Sequence, residues 1–147
     1  MFKTVAVVLG LAVIALGGFV RLNPLDPKAL HVDPETVDRP GNPGHVLMRE
    51  NGDIAPEIYP LPLPELAARL EAVILATPRT MRLEGKLEDG WASFVTRSRL
   101  WGFPDIASVK IVAVEGGSSV RIFSRQRYGY ADLGVNRTRV ESWLSQL

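Results

Sequence analysis

At 147 residues, with 46% hydrophobic and 22% charged side chains, the chain has room for one globular domain plus appendages. It contains no cysteine, which excludes disulfides, thiolate metal sites, cysteine nucleophiles and lipid attachment at an N-terminal cysteine. The net charge of +1 divides into +2 over residues 1–21, −5 over 22–90 and +4 over 91–147, so the basic part can face an anionic partner or the chain's own acidic part.

Thr4 to Val20 carries no charge and is bracketed by Lys3 and Arg21. As a helix this run is about 26 Å long at about 1.5 Å per residue, the short end of what crosses a bilayer. Lys3 and Arg21 can snorkel to the two interfaces. An uncleaved transmembrane anchor over residues 1–21 is the reading carried forward. The rivals are a cleaved signal peptide, with a weak small-residue site at Ala15 and Gly17, and a buried soluble helix. Lys3 favours a cytoplasmic N-terminus, while Arg21, Lys28 and Arg39 oppose it. The domain is placed outside the cytoplasm because a minimal N-terminal anchor resembles a signal sequence.

Residues 22–63 form a proline-rich connector. Pro24, Pro27, Pro34, Pro40 and Pro43 forbid a continuous helix and remove sheet donors. His45 to Arg49 can add a short edge strand. A domain over residues 64–147 follows. Its first helix runs from Pro64 to Thr77, with Leu66, Leu70, Val73, Ile74 and Thr77 on one face and Pro78 as the stop.

Four strands come next: Arg79 to Lys86, Trp91 to Arg99, Ile106 to Glu115 and Ser119 to Arg127. Asp89-Gly90 and Gly116-Gly117 supply turns, and Leu100 to Pro104 breaks the pattern. The second and fourth strands are partly apolar on both faces, so alternation does not decide which side is buried. A terminal helix starts between Asp132 and Asn136 and carries Val140, Trp143, Leu144 and Leu147 as its stripe. The expected fold is α+β: a four-stranded antiparallel sheet flanked by two helices, preceded by an N-terminal transmembrane helix.

The segment Ser124 to Arg139 reads SRQRYGYADLGVNRTR. Arg125, Arg127, Arg137 and Arg139 surround an aromatic-glycine turn, and guanidinium forks hold carboxylates or phosphates in fixed geometry. Two readings compete. In one, Gly129 and Gly134 shape the turn, Asp132 and Asn136 cap the helix, and the arginines close the fold, with Asp132 accepting from Arg125 or Arg137. In the other, the four arginines bind an anion at the helix N-terminus. Arg127 and Arg139 are the ones expected to stay free. Arg97, Arg99 and Asp105 form a smaller cluster around Trp101-Gly102-Phe103, a loop suited either to a lipid interface or to the core.

Residues from about Pro60 to Leu147 resemble the family called domain of unknown function 1499. The resemblance rests on the Thr77-Pro78-Arg79 corner, on Trp101-Gly102-Phe103 followed by Asp105, and on SRQRYGYADLGVNRTRVE. Family members commonly carry a paired acidic step after the glycine-phenylalanine element and an upstream Asn-Cys. This chain has the single carboxylate of Asp105 and a Gly41-Asn42-Pro43 without cysteine. The resemblance implies no known activity.

No catalytic signature is present. His31 and His45 lie in the connector without a second ligand at metal spacing. Gly116-Gly117-Ser118-Ser119 is a hairpin turn rather than a nucleophile elbow. No phosphate loop or dinucleotide fingerprint occurs. No catalytic residue, metal or cofactor is assigned, and nucleic acid is not an expected partner. The leading expectation is a membrane-anchored, non-enzymatic binding module, attached through residues 4–20, with Arg125, Arg127, Arg137 and Arg139 facing an anionic ligand or lipid headgroup. The alternatives are an accessory subunit of a membrane protein complex whose basic half meets an acidic protein surface, and a hydrolytic enzyme using Asp105 or Asp132.

Overall fold

The computed structural model describes residues 2–147. Helix α1 (Phe2–Leu22) and the single turn α2 (Pro27–Leu30) precede strands β1 (His45–Met48) and β2 (Ile58–Tyr59). Helix α3 (Leu63–Ala76) leads into β3 (Thr80–Lys86), β4 (Trp91–Arg97), β5 (Pro104–Val114) and β6 (Gly117–Gln126), and α4 (Val135–Leu144) closes the chain.

The fold is mixed α+β with an antiparallel sheet, but the sheet has six strands rather than four. Its order is β1-β6-β5-β4-β3. β1 pairs with Met48↔Ile122 to His45↔Arg125, and β2 pairs with Ser118 and Ser119, so both lie end to end along the outer edge of β6. The two extra strands come from the segment expected to be connector. They are short and proline-bounded, which an edge strand tolerates and an interior strand does not.

The sheet's faces differ in chemistry. One face carries Ala92, Phe94, Ala107, Val109, Ile111, Val120 and Ile122, and it is buried against Leu66, Leu70 and Ile74 of α3 and Val140 and Trp143 of α4. The other carries Ser93, Ser108, Lys110, Arg121 and Arg125 along β4–β6. The expectation of flanking helices therefore holds for one face only. The polar face is covered by the irregular chain from Leu30 to Val37, which offers it carbonyls and carboxylates. Lys110 pairs with Asp33 at 2.7 Å and Glu35 at 2.6 Å, and the Arg121 side chain lies 3.9 Å from Glu35. Arg49 donates to the carbonyls of Glu35 and Val37. Part of the basic C-terminal half thus meets the chain's own acidic half.

Lys3–Leu22 of α1 is long and apolar enough to cross a membrane or to serve as a signal sequence, and only 6% of its span is buried, unlike a helix of a soluble core. Its last turns touch the domain. A Cβ at Gly17 would stand 3.5 Å from the Trp101 ring, Arg21 donates to the Leu100 carbonyl at 3.0 Å, and Phe19 tilts against Tyr128.

Candidate functional site

The four arginines of the terminal segment do not converge. Arg125 sits on the polar face of β6, and Arg127 lies one residue past the end of that strand. Arg125 donates to the Leu30 carbonyl at 2.7 Å and lies 4.6 Å from the Phe123 ring centre. No carboxylate faces it, and burial pulls its pKa down to about 10. Arg127 donates to the Tyr128 hydroxyl at 3.2 Å. Arg137 pairs with Glu141 at 3.0 Å and donates to the Asp53 carbonyl. Arg139 bonds Asp105 at 2.8 Å and the Asn136 side-chain carbonyl at 3.1 Å. It is therefore not free, as the sequence suggested, because Thr96↔Asp105 pairing places Asp105 on the helix side of the sheet.

Asp132 makes the expected cap but accepts from neither Arg125 nor Arg137. It accepts from the backbone N–H of Gly134 at 3.0 Å and of Asn136 at 2.8 Å, and from the Asn136 amide. Asn136 is fully buried and accepts from Ser124 Oγ. Gly134 takes φ 81° and Gly129 φ 100°, the left-handed region open to glycine. These residues lock the last strand to the last helix.

Burial acts on the Asp132 carboxyl to raise its pKa, but the hydrogen bonds from Asn136 and Gly134 outweigh it and hold the pKa below its ordinary value of 3.8. Asp33 and Asp53 are lowered in the same way: burial raises them, and Lys110 and Arg39 respectively more than offset it. Groups with a depressed native pKa stabilise the fold above the unfolded value and lose that contribution as pH falls through the native one. Asp105 has the opposite sign, raised by burial despite Arg139. Thermal melting from pH 5 to pH 3 is expected to show falling stability, with Asp132→Asn flattening the slope.

A different arginine group does converge. Arg21, Arg79, Arg97 and Arg99 line an open cavity of about 460 Å³ together with Thr80, Met81, Ser98 and Gly102. No acidic side chain lines it. Among the described residues none of the four makes an ion pair. Three of them are steered by one backbone carbonyl each: Arg21 by Leu100, Arg79 by Arg97 and Arg97 by Gly102. A guanidinium has five N–H donors, so most remain for an anion. Arg79 itself adopts φ 60°, an uncommon conformation for a side chain of its size. Gly102 has φ 72°, and a Cβ there would come within 3.1 Å of the Arg21 side chain, so glycine permits this close approach.

Sequence reasoning noticed Arg97 and Arg99 but grouped them with Asp105, which lies on the opposite face. It missed Arg21 and Arg79. The available signals were the charge at the end of the apolar run and the Thr77-Pro78-Arg79 corner.

The polar face also holds a histidine–serine contact. His31 Nδ1 lies 2.8 Å from Ser93 Oγ, which lies 3.0 Å from Ser108 Oγ, and the His31 ring stacks on Trp91 at 3.9 Å. Ser93 is fully buried, so its oxygen is sealed from any substrate. Among the described residues no three metal-ligating side chains gather.

No protein in the curated set matches the chain. The family model described as a protein of unknown function, DUF1499, matches residues 26–147, which takes in β1, β2 and the covering segment as well as the C-terminal motif. With the match spanning most of its length, the chain belongs to the DUF1499 family.

Proposed function

We propose that this protein is a non-enzymatic binding module held at a membrane surface by α1, and that it binds a phosphate-bearing anion in the cavity of Arg21, Arg79, Arg97 and Arg99. The observation that carries the reading is that four arginines line one cavity with no acidic residue among them. Like charges gathered without a counter-ion disfavour one another, and an anion relieves that repulsion. Arg21 closes the apolar helix, so the cavity stands at the level where α1 would leave a bilayer. Trp101 packs on Gly17, about 6 Å further along the helix towards its apolar middle, at the depth where indole rings are enriched. This moves the anion site from Arg125, Arg127, Arg137 and Arg139 to a group assembled from three separate segments.

The non-enzymatic part of the reading is supported by how the candidate acids are held. Asp132 spends its oxygens on the helix cap and its pKa is depressed. Asp105 is paired with Arg139. The His31–Ser93 contact is sealed.

Native mass spectrometry of the full chain in mild detergent tests the proposal, with phosphatidylglycerol and phosphatidylcholine as probes. Preferential retention of phosphatidylglycerol is expected. A basic side chain near an anionic surface contributes about 1 kcal/mol, so the Arg79→Ala/Arg99→Ala double variant should lose about 30-fold in retention. Equal retention of the two lipids by the parent chain would overturn the reading. Displacement by millimolar inorganic phosphate would identify a soluble phosphate, rather than the headgroup, as the preferred occupant.

A further inference from the structure

The loops at one end of the sheet share a character that the cavity alone does not explain. The registers Thr80↔Thr96, Arg97↔Pro104 and Asp105↔Gln126 bring together the α3–β3 corner, the β4–β5 loop and the turn after β6. This end carries Arg79, Arg97, Arg99 and Arg127, and among the described residues none of them makes an ion pair. The opposite end carries Glu57, Glu88, Asp89 and Glu115, with Lys86 paired to Glu88.

Exposed apolar side chains follow the same polarity. Leu100 is 72% exposed and Trp101 is also exposed on the β4–β5 loop. Tyr130 is 73% exposed, Leu133 is 97% exposed and Val135 is half-exposed on the turn into α4. Leu133 also holds φ 54°, so a bulky side chain is kept in a disfavoured backbone region while contributing nothing to the core. Strain at a solvent-facing apolar residue points outward, to something that covers it. Tyr128, two residues before this turn, ties it to the end of α1: the Asn23 amide donates to the Tyr128 hydroxyl, and the Tyr128 ring lies 6.4 Å from both Phe19 and Phe103.

We infer that the turn Tyr130–Val135 is a second membrane contact, which seats Leu133 in the headgroup–acyl boundary of an anionic bilayer while Leu100 and Trp101 enter beside α1. The domain then rests on the membrane with its basic, apolar end down and its acidic end away, instead of swinging on a tether. The occupant is a lipid surface because the patch is continuous with an apolar helix of membrane-crossing length. The unpaired guanidiniums around the patch also have the sign that anionic headgroups attract, while Asp132, the carboxylate within the turn, is engaged by the Gly134 and Asn136 N–H groups of the helix cap. The inference rests on the membrane placement of α1 proposed above.

The absence of cysteine makes single-site labelling clean. The full chain is reconstituted in nanodiscs of phosphatidylcholine and phosphatidylglycerol, with bimane at Leu133→Cys, Glu115→Cys or Val8→Cys in separate samples. Circular dichroism checks that each variant is folded. The expected result is loss of Leu133 label fluorescence to lipids carrying a nitroxide near the headgroup, with protection from aqueous iodide. The Glu115 label should behave in the opposite way. Iodide quenching of Leu133 equal to that of Glu115 overturns the proposal. Protection of Leu133 from both quenchers also overturns it, since the cover is then protein. A quenched Val8 label with an unquenched Leu133 label rejects the second contact alone, and failure of both rejects the anchor itself.

Discussion

Arg139→Ala is expected to lower the unfolding free energy by about 3 kcal/mol, the low end of the range for breaking a buried ion pair, because both side chains keep a little solvent contact. For a domain of this size that corresponds to roughly 10 °C in Tm. The cost arises from what is left behind. Asp105 stays buried under α4 with its partner gone, and the Asn136 side-chain carbonyl keeps only the Ser124 hydroxyl of its two donors. Asp105 is already raised in pKa by burial, and removing Arg139 raises it further, so the variant's defect should shrink as pH falls and the carboxyl takes up a proton. Adding Asp105→Asn to the variant should recover part of the loss. Urea titration of the detergent-solubilised chain, followed by far-ultraviolet circular dichroism at two pH values, measures all of this. A defect of equal size at both pH values would rule out the charge mechanism. Arg137→Ala provides the contrast. Its partner Glu141 is exposed, and the change should cost less than about 1 kcal/mol.

Trp143→Ala is expected to cost about 4 kcal/mol. The indole is 1% exposed, fills the space between α4, α3 and the sheet, and donates from Nε1 to Thr77 Oγ1 at 2.8 Å. Truncation leaves a cavity under the last helix and removes the bond that ties α4 to the C-terminal end of α3. Trp143→Phe should retain most of the packing and lose mainly the hydrogen bond, at about 1–2 kcal/mol. The urea midpoint should fall in that order with little change in slope. An alanine variant as stable as the phenylalanine variant would mean that the interior collapses around the gap.

The elements built on strong periodicity were legible in the sequence. The stripe of α3, the four long strands and the Gly90 and Gly117 turns follow from spacing and glycine placement alone. What escaped were features decided between distant segments. β1 was expected as a short edge strand over His45 to Arg49, but its partner was not; β2 is too short to show a period, and it becomes a strand only because β6 offers a free edge. The polar face could not be assigned because its serines and basic side chains are satisfied by a proline-rich segment with no regular pattern. The four arginines of the terminal segment part for a geometric reason. Arg137 and Arg139, two apart on a helix, are turned about 200° from each other, and Arg125 leaves from the sheet on its polar face. Closeness in sequence dispersed those four, whereas Arg21, Arg79, Arg97 and Arg99 were assembled by pairing between strands and by the seat of α1.

The position of β6 also sets the order in which the chain can become structured. β1 and β2 pair with nothing but this last strand among the ladders, and the segment over the polar face is held in part by Arg121 and Arg125 on it. On a ribosome the residues from 26 to 59 emerge before β6 and must wait for their ladder partner until residues 117–126 have been made. Contacts that join such distant segments close slowly. The prolines that keep this stretch out of any long helix also disfavour its pairing with a neighbouring chain during that wait, so the feature that made it look like a linker protects a strand that has not yet found its partner.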